Sequence, residues 1–170
     1  MGTDFQRLFF ALWPEVPLRQ RLARIQTRWT ARARPVPAER LHMTLVFLGQ
    51  VTPGQRDAAE QVAGQMVFPR CDVRLDRLGT FPGARVGWIG PSTVPAPLND
   101  FAVEFRARLV RARVPCDVRA WKPHVTLYRN LRTPAPTMQF DAVDWQVDSF
   151  CLVRSRRSGG ELRYEPITIW

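Results

Sequence analysis

The two histidines of this chain stand in the same four-residue pattern, His-x-Thr-Leu. The first copy begins at His42 and the second at His124. At the threonine and leucine frequencies of this chain, the odds are roughly 10⁻⁵ to 10⁻⁴ that chance alone would place threonine two positions and leucine three positions after both histidines. We therefore interpret the repeat as a functional pair.

Two imidazoles can divide the work of a proton donor and a proton acceptor. Because the ordinary imidazole pKa is about 6.5, one ring can be neutral while the other is charged at the same pH. Rings on opposite sides of a reacting centre suit in-line displacement at phosphorus, in which water enters as an alcohol leaves. Thr44 and Thr126 would donate hydrogen bonds to the non-bridging oxygens, where negative charge develops. This scheme needs no metal and no cofactor.

The residues alone leave three alternatives to this scheme open. Each histidine could be a satisfied core or surface residue, with each threonine only a β-former. A zinc site would usually need three or four ligands, and the nearby acids, Glu39 and Asp117, give no familiar ligand spacing. A Cys–His nucleophile pair would leave the duplicated threonines unexplained.

Both motifs lie in apolar, β-prone runs, at 41–48 and 124–128, which predict strands. Side chains alternate between the faces of a strand, so the histidine and threonine of each motif share one face. The intervening apolar residues then face the core. Two such strands side by side would surround one small volume with two imidazoles and two hydroxyls.

Two stretches show the three-and-four spacing of an amphipathic helix. Their apolar positions are Leu18, Leu22, Ile25 and Trp29 in the first, and Leu98, Phe101, Ala102, Phe105 and Leu109 in the second. We interpret the arginines of the first helix as a solvated face. A third helix is predicted at 53–66, where Thr52-Pro53 suits a helix start.

Further strands are predicted at 8–13, 71–78, 85–89, 142–154 and 162–170. Approximate halves 1–90 and 91–170 repeat an order of helix, motif strand and hairpin-like strands. We predict one α+β domain of two pseudo-symmetric lobes, each a mostly antiparallel sheet backed by helices, with strands free to cross between lobes. The active-site cleft would lie between the lobes.

Composition fits a single packed domain, with 170 residues of which 45% are apolar. The formal net charge of +10 favours polyanionic partners such as RNA. Three widely spaced cysteines, Cys71, Cys116 and Cys151, predict reduced thiols rather than a disulfide framework or zinc module. No apolar run reaches membrane-span length and no signal cleavage site follows the short apolar start, so we expect a cytoplasmic monomer without membrane association.

Strings in and around the motifs extend the pattern to nearly the whole chain. They are 7–14 (RLFFALWP), 42–49 (HMTLVFLG), 85–90 (RVGWIG), 122–129 (KPHVTLYR) and 152–155 (LVRS), with Gly159, Gly160 and Tyr164. In these strings the chain resembles the two-histidine phosphoesterases, and within them the RNA 2′,3′-cyclic phosphodiesterases, also called 2′-5′ RNA ligases.

The resemblance implies hydrolysis of a terminal ribose 2′,3′-cyclic phosphate to a 2′-phosphate, by cleavage of the bond to the 3′ oxygen. By the same resemblance, His42 would donate a proton to that oxygen and His124 would accept one from water. Thr44 and Thr126 would orient the phosphate. The residues alone leave open which histidine is the acid and which is the base.

Two arginines and several aromatic residues are further candidates for substrate contact. Arg129 matches a recurrent family position and could bind phosphate in a bidentate manner. Arg154 is a second candidate, and for both arginines a surface ion pair is the alternative. The aromatic residues that could stack a terminal base are Phe9, Trp13, Phe47, Trp88 and Tyr128.

The expected partners are RNA ends or nucleotides that carry a 2′,3′-cyclic phosphate. Reverse 2′-5′ ligation would use the same chemistry in the opposite direction. Two alternatives use the same residues: a phosphoesterase of small cyclic nucleotides or 2′-5′ oligonucleotides, and a non-catalytic RNA-binding protein with a phosphate pocket.

Overall fold

A computed structural model describes residues 5–170 of the chain. Within this range the helices are α1 (Val16–Arg28), α2 (Pro53–Gly64) and α3 (Ala96–Arg111). The strands are β1 (Gln6–Leu12), β2 (Arg34–Pro35), β3 (Met43–Val51), β4 (Cys71–Leu75), β5 (Arg77–Phe81), β6 (Val86–Gly90), β7 (Val125–Arg129), β8 (Val143–Val147), β9 (Cys151–Ser158) and β10 (Glu161–Ile169). A short 3-10 helix at Ala38–Arg40 precedes β3.

The main sheet has the strand order β10-β9-β1-β3-β7-β6-β5, and β2 pairs with β7. Strands β4 and β8 form a separate two-stranded sheet. The pairings recorded for residues 5–170 are antiparallel. The α+β fold with mostly antiparallel sheets is therefore confirmed, and each half of the sequence contributes strands to both sides of the main sheet.

The two groups of strands in the main sheet, β10-β9-β1-β3 and β7-β6-β5, meet at the motif strands β3 and β7. Within the described residues, β3 and β7 pair at Met43 and Val125, whereas the pairing of β1 with β3 runs from Gln6 to Leu12. Because β3 and β7 diverge from this single pair, the sheet opens there into a cleft. The Asp117 amide donates to the Phe47 carbonyl at 2.8 Å, so a loop takes over as the partner of β3 beyond the pair.

The helices pack on the sheet face opposite the cleft. Phe10 of β1 and Phe105 of α3 meet at 4.7 Å between ring centroids, and Phe150 lies 5.4 Å from Phe105. These three rings are among the largest fully buried side chains. Large aromatic rings contribute most of the apolar area in such cores. This cluster fixes the strands that carry the site against α3.

The helical periodicity of the sequence is confirmed. In α3 all five predicted apolar positions are buried; in α1 Leu22 and Ile25 are buried and Leu18 is half-buried, and the buried Trp29 directly follows the helix. Thr52 begins α2 with a capping box, in which Thr52 Oγ1 accepts from the Gln55 amide and Gln55 Oε1 accepts from the Thr52 amide. In the part of the chain from 5 to 170, no helix is long and apolar enough to cross a membrane.

The prediction of one continuous strand at 71–78 is wrong, because this stretch is divided between β4 and β5. The break falls at Asp76, whose carboxylate accepts hydrogen bonds from the amide and hydroxyl of Ser92, both at 2.7 Å. At this point the chain leaves the small sheet, where β4 pairs with β8, and enters the main sheet, where β5 pairs with β6.

The long strand predicted at 142–154 is likewise two strands, β8 and β9. The burial pattern shows the reason, because Val143, Trp145 and Val147 alternate inward and the next fully buried residue is Phe150. That shift by one position breaks the period of two that a single strand requires. The chain changes sheets between the two strands.

The arginines of α1 do more than form the solvated face that we predicted. The guanidinium of Arg21 donates to the Ala142 carbonyl and that of Arg28 to the Gln139 carbonyl, both at 2.8 Å. These bonds hold the proline-bearing loop before β8 against the helix. Part of the positive charge of the sequence therefore has a structural use.

Candidate active site

The pairing of Met43 with Val125 is the centre of the repeated motif. Both residues are fully buried, so their motif neighbours face the cleft side of the sheet. In an antiparallel pair the flanking residues then lie crosswise, which puts His42 opposite Thr126 and His124 opposite Thr44. Diagonal neighbours in such a pair are typically about 7–8 Å apart. The structure brings the four predicted motif side chains together on one face.

Each imidazole is held by the carbonyl two residues before it. His42 Nδ1 lies 2.6 Å from the Arg40 carbonyl, and His124 Nδ1 lies 2.6 Å from the Lys122 carbonyl. A carbonyl oxygen only accepts hydrogen bonds, so Nδ1 carries a proton in both rings. In the neutral form Nε2 is then the basic nitrogen, the atom available for proton transfer.

The threonine of the first motif contacts its own histidine. Thr44 Oγ1 lies 3.2 Å from His42 Nε2 and donates to it when the ring is neutral. The Thr44 carbonyl accepts from Trp121 Nε1 at 2.8 Å, which ties the loop before β7 to β3. The two motif segments are thus joined beside their single backbone pair as well as at it.

Aromatic rings enclose both imidazoles. Trp13 stacks on His42 with 5.4 Å between centroids and 12° between planes, and Phe9 and Tyr164 pack at 4.9 and 5.3 Å. His124 has Phe81 against its ring at 4.9 Å and Trp88 at 6.4 Å. These contacts limit the rotation of each ring.

The environment lowers the pKa of both histidines. Burial lowers the pKa of His42 to about 4, the charges of Arg129 and His124 act in the same direction, and the bond to the Arg40 carbonyl opposes them. Burial also lowers the pKa of His124, with a further contribution from Arg129. Both rings are therefore neutral at pH 7 in the free protein. A bound anion would favour their charged forms and so raise both pKa values.

The cleft is positively charged. Its cavity of about 580 Å³ is lined by His42 and Thr126 of the motifs and by six arginines. Those arginines are Arg7, Arg34, Arg40, Arg129, Arg156 and Arg157. No acidic side chain from residues 5–170 is among its lining. A cavity with one sign of charge concentrates ligands of the opposite sign, so this one suits phosphate groups.

A family model described as the 2′-5′ RNA ligase superfamily matches residues 14–159. The chain belongs to this superfamily. It is 32% identical to an RNA 2′,3′-cyclic phosphodiesterase of Escherichia coli, over 99% of this chain and 97% of the relative, and 30% identical to one of Thermus thermophilus, over 88% and 81%. The crystal structure of E. coli LigT complexed with 3′-AMP is 29% identical and matches with a TM-score of 0.86 over 98% of both chains. The resemblance found in the sequence is confirmed.

The structure separates the two arginines predicted for this superfamily member. Arg129 lines the cavity, and its charge acts on both imidazoles. Arg154 instead forms an ion pair with Glu165, at 2.9 Å from Nη2 to Oε2. Arg154 is not among the residues that line the cavity, and its neighbour Val153 packs with Phe9 on the His42 side of the sheet, so Arg154 points to the other face of β9. The structure therefore does not bring Arg154 into the cleft, and the ion-pair interpretation applies to it.

Of the five aromatic residues suggested for base stacking, three contact the imidazoles and two do not. Phe9, Trp13 and Trp88 contact the imidazoles, whereas Phe47 lies beneath the Arg7 guanidinium at 4.9 Å from its centroid. Tyr128 is buried, and its hydroxyl donates to the carbonyls of Gln26 and Trp29 at 2.9 and 2.8 Å. Tyr128 is thus a core residue that anchors α1 to β7.

Burial keeps the cysteines of this superfamily member in the thiol form. Burial raises the pKa of Cys151 to about 12, and burial also raises the pKa of Cys71 and of Cys116. A thiol is nucleophilic as its thiolate, so these groups are inert at neutral pH. The Cys–His alternative left open by the sequence is therefore disfavoured.

Sequence reasoning missed several residues of the site. Phe81 lies outside the strands predicted at 71–78 and 85–89, although it ends β5 against His124. Arg34 lies in a two-residue strand that carries no periodic signal. The cavity-lining arginines Arg7, Arg40 and Arg157 could have been suspected only from charge, which does not separate them from the other arginines of the chain.

Proposed function

We propose that the protein hydrolyses RNA terminal 2′,3′-cyclic phosphates to 2′-phosphates, with His42 as the proton donor and His124 as the proton acceptor. One observation carries the proposal: the register of Met43 with Val125 makes the two histidines diagonal neighbours on one strand face, each with Nδ1 bonded to a backbone carbonyl, beside a positively charged cavity that His42 and Thr126 line. The names of the E. coli and T. thermophilus relatives support the substrate.

The proposed reaction is a single in-line displacement. Water attacks phosphorus as His124 Nε2 accepts its proton, and the bond from phosphorus to the 3′ oxygen breaks as His42 Nε2 donates a proton to that oxygen. Thr44 and Thr126 donate hydrogen bonds to the non-bridging oxygens, and Arg129 contributes positive charge. The products are a 3′ hydroxyl and a 2′ phosphomonoester, and solvent returns the proton from His124 to His42.

The protonation of His42 depends on the substrate in this scheme. With a pKa of about 4 in the free protein, His42 lacks the proton that a general acid must give. The negative charge of the cyclic phosphate raises this pKa when it binds. Binding of the substrate therefore puts His42 into the protonated form that the reaction requires of a general acid.

A substrate whose leaving atom is sulfur tests the two roles. A thiolate leaves without protonation, so the general acid is dispensable on a 2′,3′-cyclic phosphate that carries sulfur at the 3′ bridging position. We expect His42→Ala to lose about 10²–10⁴ in kcat on the oxygen substrate and to recover most of that loss on the sulfur substrate. His124→Ala is the matched control and should show no recovery. Recovery in His124→Ala alone would reverse the assigned roles.

The assay should be run with and without chelator, since the proposed steps use no metal. Equal rates are expected. Reverse 2′-5′ ligation follows the same steps in the opposite direction and stays a prediction, as does the assignment of the protein as a cytoplasmic monomer.

A further inference from the structure

Arg34 and Arg129 face each other directly across the β2–β7 pair. Both are exposed and line the cavity, and neither forms a salt bridge within residues 5–170. Like charges in directly opposite positions of a sheet destabilise it. Such a pair is expected where anions are bound between or beside the two groups.

Strand β2 is held in place by a buried polar side chain. Gln26 Nε2 donates to the carbonyls of Val36 and Leu127 at 3.0 and 2.6 Å, and the Val36 amide donates to the Leu127 carbonyl at 2.8 Å. Gln26 is one of the few buried polar residues of the described chain. The position of Arg34 beside Arg129 is therefore built into the fold.

Arg34 also lies at the junction of two cavities. The second cavity, of about 450 Å³, shares Arg34, Arg40 and Tyr164 with the first, and it extends between the segment after β2 and the β9–β10 hairpin. Cavities of this size accept small organic groups. The cleft thus has room for a second nucleoside beyond the one at the histidines.

The single negative charge of the reacting phosphate can be matched by Arg129 alone, so Arg34 is a further positive charge beyond it. A terminal cyclic phosphate carries one negative charge, and Arg129 is the cleft arginine whose charge acts on both imidazoles. Neighbouring strands are about 4.8 Å apart, so Arg34 lies one strand further from the reacting phosphorus. Arg34 is therefore in a position to contact the next phosphate of an RNA substrate.

We propose that Arg34 binds the phosphodiester immediately 5′ of the cyclic phosphate and that the second cavity takes the penultimate nucleoside. The preferred substrate is then an oligonucleotide of at least two residues rather than a cyclic mononucleotide. This inference rests on the proposed function and names its substrate class more closely.

Three substrates test the inference. They are 2′,3′-cyclic AMP, the dinucleotide ApA with a terminal 2′,3′-cyclic phosphate, and the same dinucleotide with an uncharged methylphosphonate as its internal linkage. We expect kcat/KM for the charged dinucleotide to be about tenfold or more above that for the other two, the value of one charged hydrogen-bonded contact. The methylphosphonate separates phosphate recognition from base contacts.

Arg34→Gln is the decisive variant, with Arg24→Gln as the control. Arg24 is exposed on α1, and its replacement removes the same charge. Arg34→Gln should bring the ratio of kcat/KM between charged and uncharged dinucleotides close to one, and Arg34→Lys should keep part of it. Arg24→Gln should keep the full ratio. The salt dependence of kcat/KM on the charged dinucleotide should become shallower by about one unit of log–log slope in Arg34→Gln.

Two results would overturn the inference while leaving the proposed function intact. One is equal kcat/KM of the unaltered protein on all three substrates. The other is a loss in Arg34→Gln of the same factor on all three. The absence of turnover of any substrate by the unaltered protein would instead overturn the proposed function, and this inference with it.

Discussion

Individual residues of the site are tuned by burial and by backbone contacts. Trp13 and Phe9 remove water from His42, which lowers its pKa, while the Arg40 carbonyl fixes the proton on Nδ1. The same carbonyl contact recurs at His124. Both rings therefore present Nε2 as the basic atom, and the difference between acid and base must come from the bound substrate.

This dependence predicts two different pH optima. The profile of kcat/KM reports the free protein, in which both histidine pKa values lie below 6.5, so its maximum should fall on the acid side of neutrality. The profile of kcat reports the bound complex, in which the phosphate anion raises both values, so its maximum should lie at higher pH. Rates measured from about pH 4 to 9 check this order, and coincident or flat profiles over that range would contradict it.

The two motifs could be predicted from the sequence because the His-x-Thr repeat contains the residues to which the proposed chemistry is assigned. Arg154 lies outside the cavity for a local reason, since an arginine on a strand points to one face or the other and Glu165 on β10 pairs with it. The strand register, which decides the face to which Arg154 points, cannot be read from a single sequence.

At the scale of elements, the β5–β6 hairpin supports the second histidine. Gly79 of β5 pairs with Trp88 of β6, and the indole covers the glycine while its other contacts include Phe81 and His124. A Cβ at Gly79 would overlap the Trp88 ring. The absence of a side chain at this position therefore determines where Trp88 lies.

We expect Gly79→Ala to reduce the free energy of unfolding by about 1–3 kcal/mol, the usual cost of overpacking. Because the displaced indole contacts His124, kcat should fall as well. Gly83→Ala is the matched control, since a Cβ there meets no heavy atom within 4 Å. Urea denaturation and steady-state rates measure the two effects, and equal behaviour of the two variants would contradict this role of the hairpin.

Elements with a clear period were predictable and those without one were not. Helix α3 buries all five apolar positions that its spacing indicated, and α1 buries Leu22 and Ile25 and half-buries Leu18. Strand β2 has two residues, and its place beside β7 depends on the Gln26 contacts, which no periodicity shows. The breaks at Asp76 and before Phe150 depend on which sheet the chain joins next.

At the scale of the whole molecule, the sheet combines strands that are distant in sequence. Strand β1 pairs with β3 and with β9, so the first and last parts of the chain lie side by side. The repeat of elements expected in the halves 1–90 and 91–170 stays a prediction, and the strands of the two halves are mixed in the main sheet. The chain carries a net charge of +10, and six of its arginines line the cleft that this mixing produces.

Binding of phosphate to this cleft should stabilise the whole fold. A ligand that binds the folded state raises the free energy of unfolding, by about 2.7 kcal/mol at a concentration 100 times Kd. Inorganic phosphate should therefore raise Tm, whereas chloride at equal ionic strength should not. Arg129→Gln should weaken the effect and Arg24→Gln should not. An equal shift with both salts would contradict a specific anion site in the cleft.

Opening of a cyclic phosphate at the 3′ oxygen by the paired imidazoles is the centre of the proposed mechanism. The direct measurement is the product formed, in the presence of chelator, from a short RNA ending in a 2′,3′-cyclic phosphate. We expect a 2′-phosphate from the unaltered protein, and losses of about 10²–10⁴ in rate for folded His42→Ala and His124→Ala. A 3′-phosphate product, or full activity in either variant, would contradict this mechanism.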